Sequence, residues 1–323
     1  MVKAVGLISG GLDSMLAVKI LQQQGIEVIG VAFKSPFFEV KRAKKTASIL
    51  GIPLKVVDIT EDLIPIIRAP KHGRGSEMNP CIDCHALMVK KAGELMREIG
   101  AQFVFTGEVL GQRPFSQTKR AMRTVEEESG MVGLLLRPLS AKRLPPTIPE
   151  KEGWVKRECL LGLWGRGRKE QIELAQRFGI NEAPQPAGGC LLTDPAFSRR
   201  LKDLLDYKEA LERRDLELLK IGRHFRISPT TKLIVGRKEG ENAKLRELST
   251  KEDLLLELQN FGSPVGLIPS GGRESDLPLA CGIYLRYARV PSRHLSKVTF
   301  SGKWEGALET FPLLPEECEK YLI

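Results

Sequence analysis

A short glycine-rich segment between an apolar run and an amphipathic pattern constrains this chain more than any other feature. The apolar run covers residues 5–8, the segment reads SGGLDS at residues 9–14, and the amphipathic pattern repeats through Leu12, Leu16 and Ile20. Glycines allow a tight turn whose backbone N–H groups approach a phosphate, and a helix N-terminus adds positive dipole. The arrangement therefore predicts a strand, a phosphate-binding turn and a helix.

The side chains of this segment sharpen the prediction. Gly10 and Gly11 supply the turn, whereas Ser9 and Ser14 supply hydroxyl donors. Asp13 is negative and does not attract phosphate, so we expect it to hold a Mg²⁺ ion that does. The segment lacks the Gly-Lys-Ser/Thr ending of a Walker A loop, which disfavours chemistry at a γ-phosphate. An ordinary glycine turn with a serine cap is the alternative.

The hexapeptide at residues 9–14 resembles the PP-loop of the ATP pyrophosphatase superfamily. This resemblance implies an adenine nucleotide alpha hydrolase-like fold, cleavage of ATP between its α and β phosphates, and transfer of AMP to a substrate oxygen. The first half of the chain alternates predicted strands and helices, which indicates an α/β fold with a doubly wound parallel sheet. Strands are predicted at residues 28–33, 54–57, 103–105 and 134–136, and helices at residues 40–50 and 86–99.

Ligands of such a sheet bind at the carboxyl ends of its strands. Phe33 ends the second strand, where it packs against adenine or simply belongs to the core. Thr106 and Gly107 follow the fourth strand and complete the predicted nucleotide site.

The sequence predicts two domains, with a catalytic domain at residues 1–195 and a smaller α+β domain at residues 196–323. In the second domain the predicted helices are at residues 207–221, 243–248 and 253–258, and the predicted strands at 224–227, 232–235 and 266–268.

The charge of the chain favours a polyanionic partner. The net charge is +10 at pH 7, and nucleic acid fits this excess better than a membrane surface does. No apolar run is long enough for a membrane span and no signal peptide stands at the start, so we expect a cytoplasmic protein. The cysteines are then expected to be thiols or metal ligands.

Two long connections are expected between the predicted elements. Residues 58–85 are interpreted as a lid-like loop. Residues 142–168 combine basic side chains with Trp154 and Trp164, which suits phosphate contacts and base stacking, although a solvated loop pinned by the two indoles is equally compatible. The predicted RNA-binding residues are Arg113, Lys119, Lys142, Arg143, Lys156, Arg157, Arg166 and Arg168.

Three cysteines form a candidate constellation. Cys81 and Cys84 make a Cys-x-x-Cys before a predicted helix, and Cys190 precedes another predicted helix. The spacing is compatible with a redox pair, with zinc completed by His85 or His72, or with a [4Fe–4S] cluster held by three thiolates. The remaining cysteines are interpreted as packed thiols; they are Cys159, Cys281 and Cys318.

Several motifs carry a closer resemblance. Residues 79–85 resemble a segment of the tRNA-specific 2-thiouridylases, whereas residues 106–112 and 116–118 resemble one in the tRNA 4-thiouridine synthetases. Residues 136–139, LRPL, match both groups. The resemblance implies a tRNA sulfurtransferase. In its iron–sulfur members a Cys-x-x-Cys and a distant cysteine hold the cluster, and Cys81, Cys84 and Cys190 fit that pattern.

The resemblance implies a reaction with ATP, Mg²⁺ and a [4Fe–4S] cluster as cofactors. A uridine carbonyl of tRNA is adenylated and its oxygen is replaced by sulfur, which gives 2-thio- or 4-thiouridine, and sulfide or a sulfur-carrier protein supplies the sulfur. Asp13 and the three cysteines would be catalytic. Residues 232–245 resemble an RNA-binding domain of ribosome-quality-control proteins.

Other readings of the sequence stay open. They are a persulfide-type thiolase without a cluster, a PP-loop amide ligase, and a non-catalytic RNA-binding protein with structural zinc. The oligomeric state is also open, with a homodimer as one form.

Overall fold

The chain forms two compact units in this computed structural model. They are Met1–Thr193, called here the N-terminal unit, and Asp194–Ile323, called the C-terminal unit. The division falls two residues before the boundary expected from the sequence. The structure describes residues 1–180, 189–258, 263–288, 290–291 and 293–323.

The N-terminal unit is built on a five-stranded parallel sheet, which confirms the predicted α/β fold. The strand order is β3-β2-β1-β4-β5, so the order reverses at β1, between β2 and β4. A crevice for ligands forms at such a switch point. The strands are Lys3–Leu7 (β1), Glu27–Lys34 (β2), Leu54–Asp58 (β3), Phe103–Phe105 (β4) and Leu135–Leu136 (β5).

Helices cover both faces of this sheet. Successive residues of a strand point to opposite faces, and accordingly Ala4 packs in one hydrophobic cluster with α1 whereas Val5 packs in another with α4 and α5. The helices are Leu12–Gln22 (α1), Lys41–Leu50 (α2), Thr60–Arg68 (α3), Cys81–Glu98 (α4), Lys119–Ser129 (α5), Ile148–Lys151 (α6) and Lys169–Arg177 (α7).

The C-terminal unit is a six-stranded antiparallel sheet with helices, which confirms the predicted smaller α+β part. The strand order is β11-β10-β8-β9-β7-β6, and the fully buried Tyr284 lies in its main core cluster. The strands are Arg223–Ser228 (β6), Thr231–Val235 (β7), Leu254–Leu258 (β8), Gly266–Ile268 (β9), Ser296–Gly302 (β10) and Gly306–Thr310 (β11). The helices are Pro195–Tyr207 (α8), Arg213–Leu218 (α9), Glu239–Leu248 (α10), Leu277–Tyr287 (α11) and Pro315–Glu319 (α12).

Some predicted elements were wrong. The helix expected at residues 253–258 is the strand β8, whose residues alternate between buried and partly buried positions. The helix expected at residues 207–221 is replaced by the end of α8 and the short α9. The connection expected at residues 58–85 contains α3. Within the described ranges, no helix is long and apolar enough to cross a membrane.

Candidate active site

The glycine segment forms a tight turn between β1 and α1. Gly10 has φ +82°, and a Cβ there would lie 2.6 Å from the carbonyl carbon of Arg42, so this position requires glycine. Gly11 is extended and stands at the N-cap of α1. The Ser14 hydroxyl donates to the Gly11 carbonyl at 2.7 Å, and the Gly11 N–H donates to Ser9 Oγ at 3.3 Å.

Asp13 lies in the first turn of α1 with an incomplete set of partners. Its Oδ2 accepts a hydrogen bond from Gln112 Nε2 at 3.1 Å. Its Oδ1 is buried and has no hydrogen-bond partner among the described residues. Burial raises the pKa of the carboxyl, while Gln112, Arg168 and Arg113 oppose that shift. An orphaned carboxylate oxygen beside a phosphate-binding turn fits a magnesium ligand.

Gly107 brings the loop after β4 against this turn. A Cβ at Gly107 would lie 2.6 Å from the carbonyl carbon of Asp13 and from the backbone nitrogen of Ser14. Both predicted segments of the nucleotide site therefore meet at the N-terminus of α1. The buried Thr106 hydroxyl donates to Glu108 Oε2 at 3.0 Å, so its hydrogen bond points to Glu108. Phe33 packs in the core cluster that contains α4, at 8% exposure.

Two of the predicted RNA-binding residues lie within electrostatic range of Asp13. The positive charges of Arg113 and Arg168 both act on the Asp13 carboxylate. Arg168 Nε is buried, and nothing in the described part of the chain accepts its hydrogen bond. The site thus combines an orphaned carboxylate oxygen with an orphaned guanidinium nitrogen, an arrangement suited to a metal cation and a phosphate together.

The first turn of α4 carries two of the three cysteines. The helix begins at Cys81, five residues earlier than expected from its apolar stripe, so Cys81 and Cys84 lie one turn apart. Asn79 Nδ2 donates to Cys81 Sγ at 3.1 Å. Beyond α7, the Leu191 N–H donates to the carbonyl of Phe37 at 3.0 Å, which holds the neighbouring Cys190 beside the segment that follows β2.

The three sulfur atoms share one electrostatic neighbourhood. Burial raises the pKa of the Cys84 thiol, and the charges of Cys190 and Cys81 raise it further. Burial also raises the pKa of Cys190 to about 11, although Arg113 opposes this change. Arg113 therefore acts on both Asp13 and Cys190. Among the described residues, no group of three or more His, Cys, Asp or Glu side chains is arranged to hold a metal ion.

Both histidines considered as zinc ligands face carboxylates. His85 Nδ1 lies 3.0 Å from Glu108 Oε1, and His72 Nε2 lies 3.4 Å from Glu128 Oε1. The other cysteines are not all packed thiols as expected, because Cys159 is exposed whereas Cys281 and Cys318 are buried.

A buried ion network next to the thiols was missed by the sequence analysis. Glu108 accepts from Arg137 Nε at 3.0 Å and contacts His85, one residue after Cys84. Burial alone would raise the pKa of Glu108, but Arg137 and His85 hold it well below its usual range. Arg137 also pairs with Glu126. The TGE and RPL motifs could have indicated this ion pair, because each carries a charged residue next to a predicted buried strand.

The segment at residues 142–168 uses much of its positive charge internally. Lys142 Nζ donates to the Glu158 carbonyl at 2.9 Å, and Arg143 Nε donates to the Gly162 carbonyl at 2.6 Å. Arg157 pairs with Glu150 and donates to two carbonyls. These contacts stabilise the segment. The remaining predicted RNA-binding side chains are exposed; they are Lys119, Lys156 and Arg166.

The two tryptophans of this segment differ. Trp154 packs against the core cluster of α1, as the structural alternative expected. Trp164 is 64% exposed and pairs through its backbone with Leu110, two residues before Gln112. Trp164 is therefore the more exposed indole of the pair, and its backbone pairs with the loop that carries Gln112.

Comparisons with known proteins divide along the same two units. A family profile described as "Thiamine biosynthesis protein (ThiI)" matches residues 1–142. A profile described as "NFACT protein RNA binding domain" matches residues 222–322, which include the 232–245 segment noted above.

Individual relatives agree with the first of these profiles. The chain is 28% identical over 226 residues to tRNA-specific 2-thiouridylase MnmA 2 of Thermoanaerobacter sp. (strain X514), a match that covers 62% of this chain and 57% of that protein. It is 36% identical over 111 residues to tRNA-specific 2-thiouridylase MnmA of Sulfurimonas denitrificans, over 31% and 32% of the two chains. The chain thus spans well under two thirds of the length of these relatives.

Among solved structures, a 4-thiouridine synthetase–RNA complex with bound ATP is 24% identical. The similarity covers 68% of this chain and 52% of that one, with a TM-score of 0.42. Together with the order of motifs from the glycine turn to the LRPL segment, these sequence matches show that the N-terminal unit is similar to PP-loop proteins of tRNA thiolation.

Proposed function

We propose that the chain is an ATP-dependent tRNA sulfurtransferase, which adenylates a uridine carbonyl and then replaces its oxygen with sulfur. The main support is that the Asp13 turn and the three thiols lie near one another. Arg113 acts electrostatically on both. An intermediate activated at the turn would then remain within reach of the sulfur that attacks it.

The turn provides the groups that the first step requires. Asp13 Oδ1 would hold Mg²⁺, which would supply charge neutralisation of the phosphates. The start of α1 presents backbone N–H groups to anionic oxygens. Arg113 and Arg168 add positive charge, and the unpartnered Nε of Arg168 can donate to a phosphate oxygen. The uridine oxygen attacks the α-phosphorus, the bond to the β-phosphate oxygen breaks, and pyrophosphate leaves.

The thiols provide the groups for the second step. Cys81, Cys84 and Cys190 would hold a [4Fe–4S] cluster, which would supply an open coordination position for the transferred sulfur. A single zinc ion, with bonds of about 2.3 Å to sulfur, draws its ligands to within about 4 Å of each other. Ligands of a cluster are farther apart because they bind different iron atoms. The resemblance of Cys81, Cys84 and Cys190 to the cysteines of the iron–sulfur members favours the cluster.

Sulfur transfer itself exchanges one bond at the ring carbon. The sulfur nucleophile forms a C–S bond, the C–O bond to the adenylate breaks, and AMP leaves with the former carbonyl oxygen. Arg113 would hold the departing phosphate, because its positive charge acts on both Asp13 and Cys190. Since a carbonyl oxygen is a poor leaving group, the sulfur step depends on the adenylation step.

The Asp13→Asn variant tests the ATP site. Loss of the metal ligand should remove several kcal/mol of transition-state stabilisation, which corresponds to at least a roughly 10²-fold fall in tRNA-dependent pyrophosphate release. Nucleoside mass spectrometry should show the same loss of thiouridine, and iron content should be unchanged. Asp62→Asn is the matched control, because Asp62 lies on α3 and pairs with Lys91 at 3.3 Å. Full activity of Asp13→Asn would refute the assignment.

Iron and acid-labile sulfide measured on protein purified without oxygen test the cluster. We expect about four iron atoms per chain, lost in Cys190→Ala and kept in Cys159→Ala, whose thiol is exposed. Thiolation by iron-free protein would favour a persulfide mechanism. Bound zinc without thiolation would favour a structural site. Pyrophosphate release that does not require tRNA would favour an amide ligase.

A further inference from the structure

The C-terminal unit gathers four cationic side chains around a buried histidine. Arg200 lies on α8, Arg226 on β6, Lys232 on β7, and Arg237 follows β7. His224 is fully buried. Burial lowers its pKa, and the charges of Lys232, Arg200 and Arg237 lower it further. Arg226 and Arg200 act on Lys232, and Arg237 acts on Arg200, so the cations follow one another from Arg226 to Arg237.

Carboxylates balance only part of this charge. Asp203 accepts hydrogen bonds from Arg226 at 2.9 and 2.8 Å and from Lys232 Nζ at 2.8 Å, so one carboxylate serves two cations. Glu241 pairs with Arg237. Arg200 has no carboxylate of its own in this arrangement. The unit as a whole carries 22 Lys and Arg against 20 Asp and Glu, so much of its small excess is concentrated here.

Arg200 is the least satisfied member of the cluster. Its Nη1 donates to the Leu219 carbonyl at 3.1 Å, but its Nε is buried without a hydrogen-bond partner in the described ranges. Burial lowers the pKa of Arg200, and the charges of Arg237 and Arg199 add to this effect. Asp194 and Glu241 oppose this shift, but Asp194 accepts the Phe197 N–H at 2.7 Å as the cap of α8.

The motif at residues 236–242 fixes the position of Arg237 near Arg200. A Cβ at Gly236 would lie 2.2 Å from Asn242 Oδ1, and that oxygen accepts the Val265 N–H at 3.0 Å. The Arg237 N–H donates to Glu241 Oε2 at 2.8 Å. Glycine, asparagine and glutamate therefore fix the turn that carries the arginine, which gives this sequence motif a structural role.

We propose that Arg199, Arg200, Arg237 and Lys238 form a binding site for a phosphate group of an RNA backbone. Holding the half-buried Arg200 beside other cations costs free energy unless an anion compensates its charge. Arg199, Arg237 and Lys238 are exposed, so an RNA strand can reach them, and Arg200 lies deeper with a free donor. That the RNA is tRNA rests on the proposed function. That the site binds a phosphate group does not depend on that function.

The test is tRNA binding by the full chain across a range of salt concentrations. Arg200→Gln should weaken tRNA binding about five- to tenfold and reduce the slope of log K against log salt by about 1. Arg199→Gln, at an exposed position, provides a second variant with the same expected direction. Arg246→Gln is the control, because Arg246 lies on α10 in ion pairs with Glu257 and Glu239, and we expect less than a twofold change.

Thermal unfolding separates a binding role from a structural one. Arg200→Gln should unfold at or above the wild-type temperature because it removes repulsion, whereas a structural arginine would leave a less stable protein. Wild-type tRNA affinity in both Arg199→Gln and Arg200→Gln would overturn the proposal. So would inorganic phosphate that binds at Arg200 without competing with tRNA, which would indicate a free phosphate as the occupant.

The same protein samples distinguish this site from the proposed activity. Wild-type protein that binds tRNA through Arg200 but neither releases pyrophosphate nor thiolates tRNA would refute the activity and leave the site standing. Wild-type protein that thiolates tRNA, with both variants unaffected in binding, would refute the site and leave the activity standing.

Discussion

The two units treat buried positive charge in opposite ways. In the N-terminal unit the buried Arg137 faces two carboxylates, Glu108 and Glu126. In the C-terminal unit Arg226 and Lys232 share the single carboxylate of Asp203. In the first network the single arginine has two carboxylate partners, and we interpret it as a scaffold beside the thiols. In the second network two cations share one carboxylate. Arg200, one turn before Asp203 on α8, has a buried Nε without a partner in the described ranges, which an anionic ligand would satisfy.

By net charge alone, the N-terminal unit would be the better candidate for binding an anion. The N-terminal unit has 28 Lys and Arg against 20 Asp and Glu, whereas the C-terminal unit has 22 against 20. Net charge governs long-range attraction of a polyanion. A specific phosphate contact depends instead on whether each cation already has a partner. The nearly neutral unit can therefore hold a well-defined phosphate site, while the basic unit supplies general attraction for a polyanion.

Glu108→Gln should give the largest effect on stability. Arg137 would lose one carboxylate and His85 would lose its partner, and breaking a buried ion pair costs about 3–5 kcal/mol. Urea unfolding would measure the change. Glu127→Gln is the control, because it removes only an exposed pair with Arg123, for which we expect a far smaller loss of stability. Equal losses in the two variants would mean that the buried network is not a scaffold.

The same variant should change the acid sensitivity of the protein. The folded pKa of Glu108 lies below its ordinary value of 4.5, so its contribution to stability is complete above that value and is lost as the pH falls below it. Glu108→Gln should lack this part of the acid dependence. A parallel loss of stability in wild type and variant between pH 5 and about pH 3 would contradict the assignment.

Asp203→Asn should lower the free energy of unfolding by a smaller amount, and this loss should depend on pH. The variant leaves Arg226 and Lys232 without their shared carboxylate, and losing hydrogen bonds to a charged group costs about 1.5–3 kcal/mol. The loss should shrink as the pH rises from 6 to about 9, because Lys232 can release a proton whereas arginine cannot. Urea unfolding at several pH values would measure it, and a loss that does not vary with pH would contradict the interpretation.

Lys232→Met should give the smallest change in the free energy of unfolding at pH 7. We expect it to lie within about 1 kcal/mol of the wild-type value, because the variant replaces a buried cation with an apolar group. Burial lowers the pKa of Lys232 to about 8 from its ordinary 10.5. Between these values the unfolded state binds more protons than the folded state, so wild-type stability should rise with pH relative to the variant. Thermal unfolding of both proteins from pH 7.5 to 10 would measure the difference, and parallel curves would exclude the shift.

Prediction from the sequence succeeded where short-range patterns decide the structure. The glycine turn, the parallel strands and the start of α8 at Asp194-Pro195 follow from local chemistry, since glycine, apolar runs and capping residues act over a few neighbours. The helix expected at residues 253–258 failed because LLLEL suits either element, and pairing of β8 with β9 and β10 selected the strand. Residues 81–85 were placed before their helix because polar residues obscure its apolar stripe.

Amino-acid types alone were enough to indicate a phosphate-binding turn, a three-cysteine constellation and a polyanionic partner. Spatial proximity required the folded chain. Arg113 and Arg168 are far apart in sequence but both act on Asp13, and Glu108 meets Arg137 across 29 positions. The same holds for Arg200 and Arg237, which the fold brings together around His224. Charge pairing depends on distances of a few ångströms between side chains, and the long-range packing of strands and helices sets those distances.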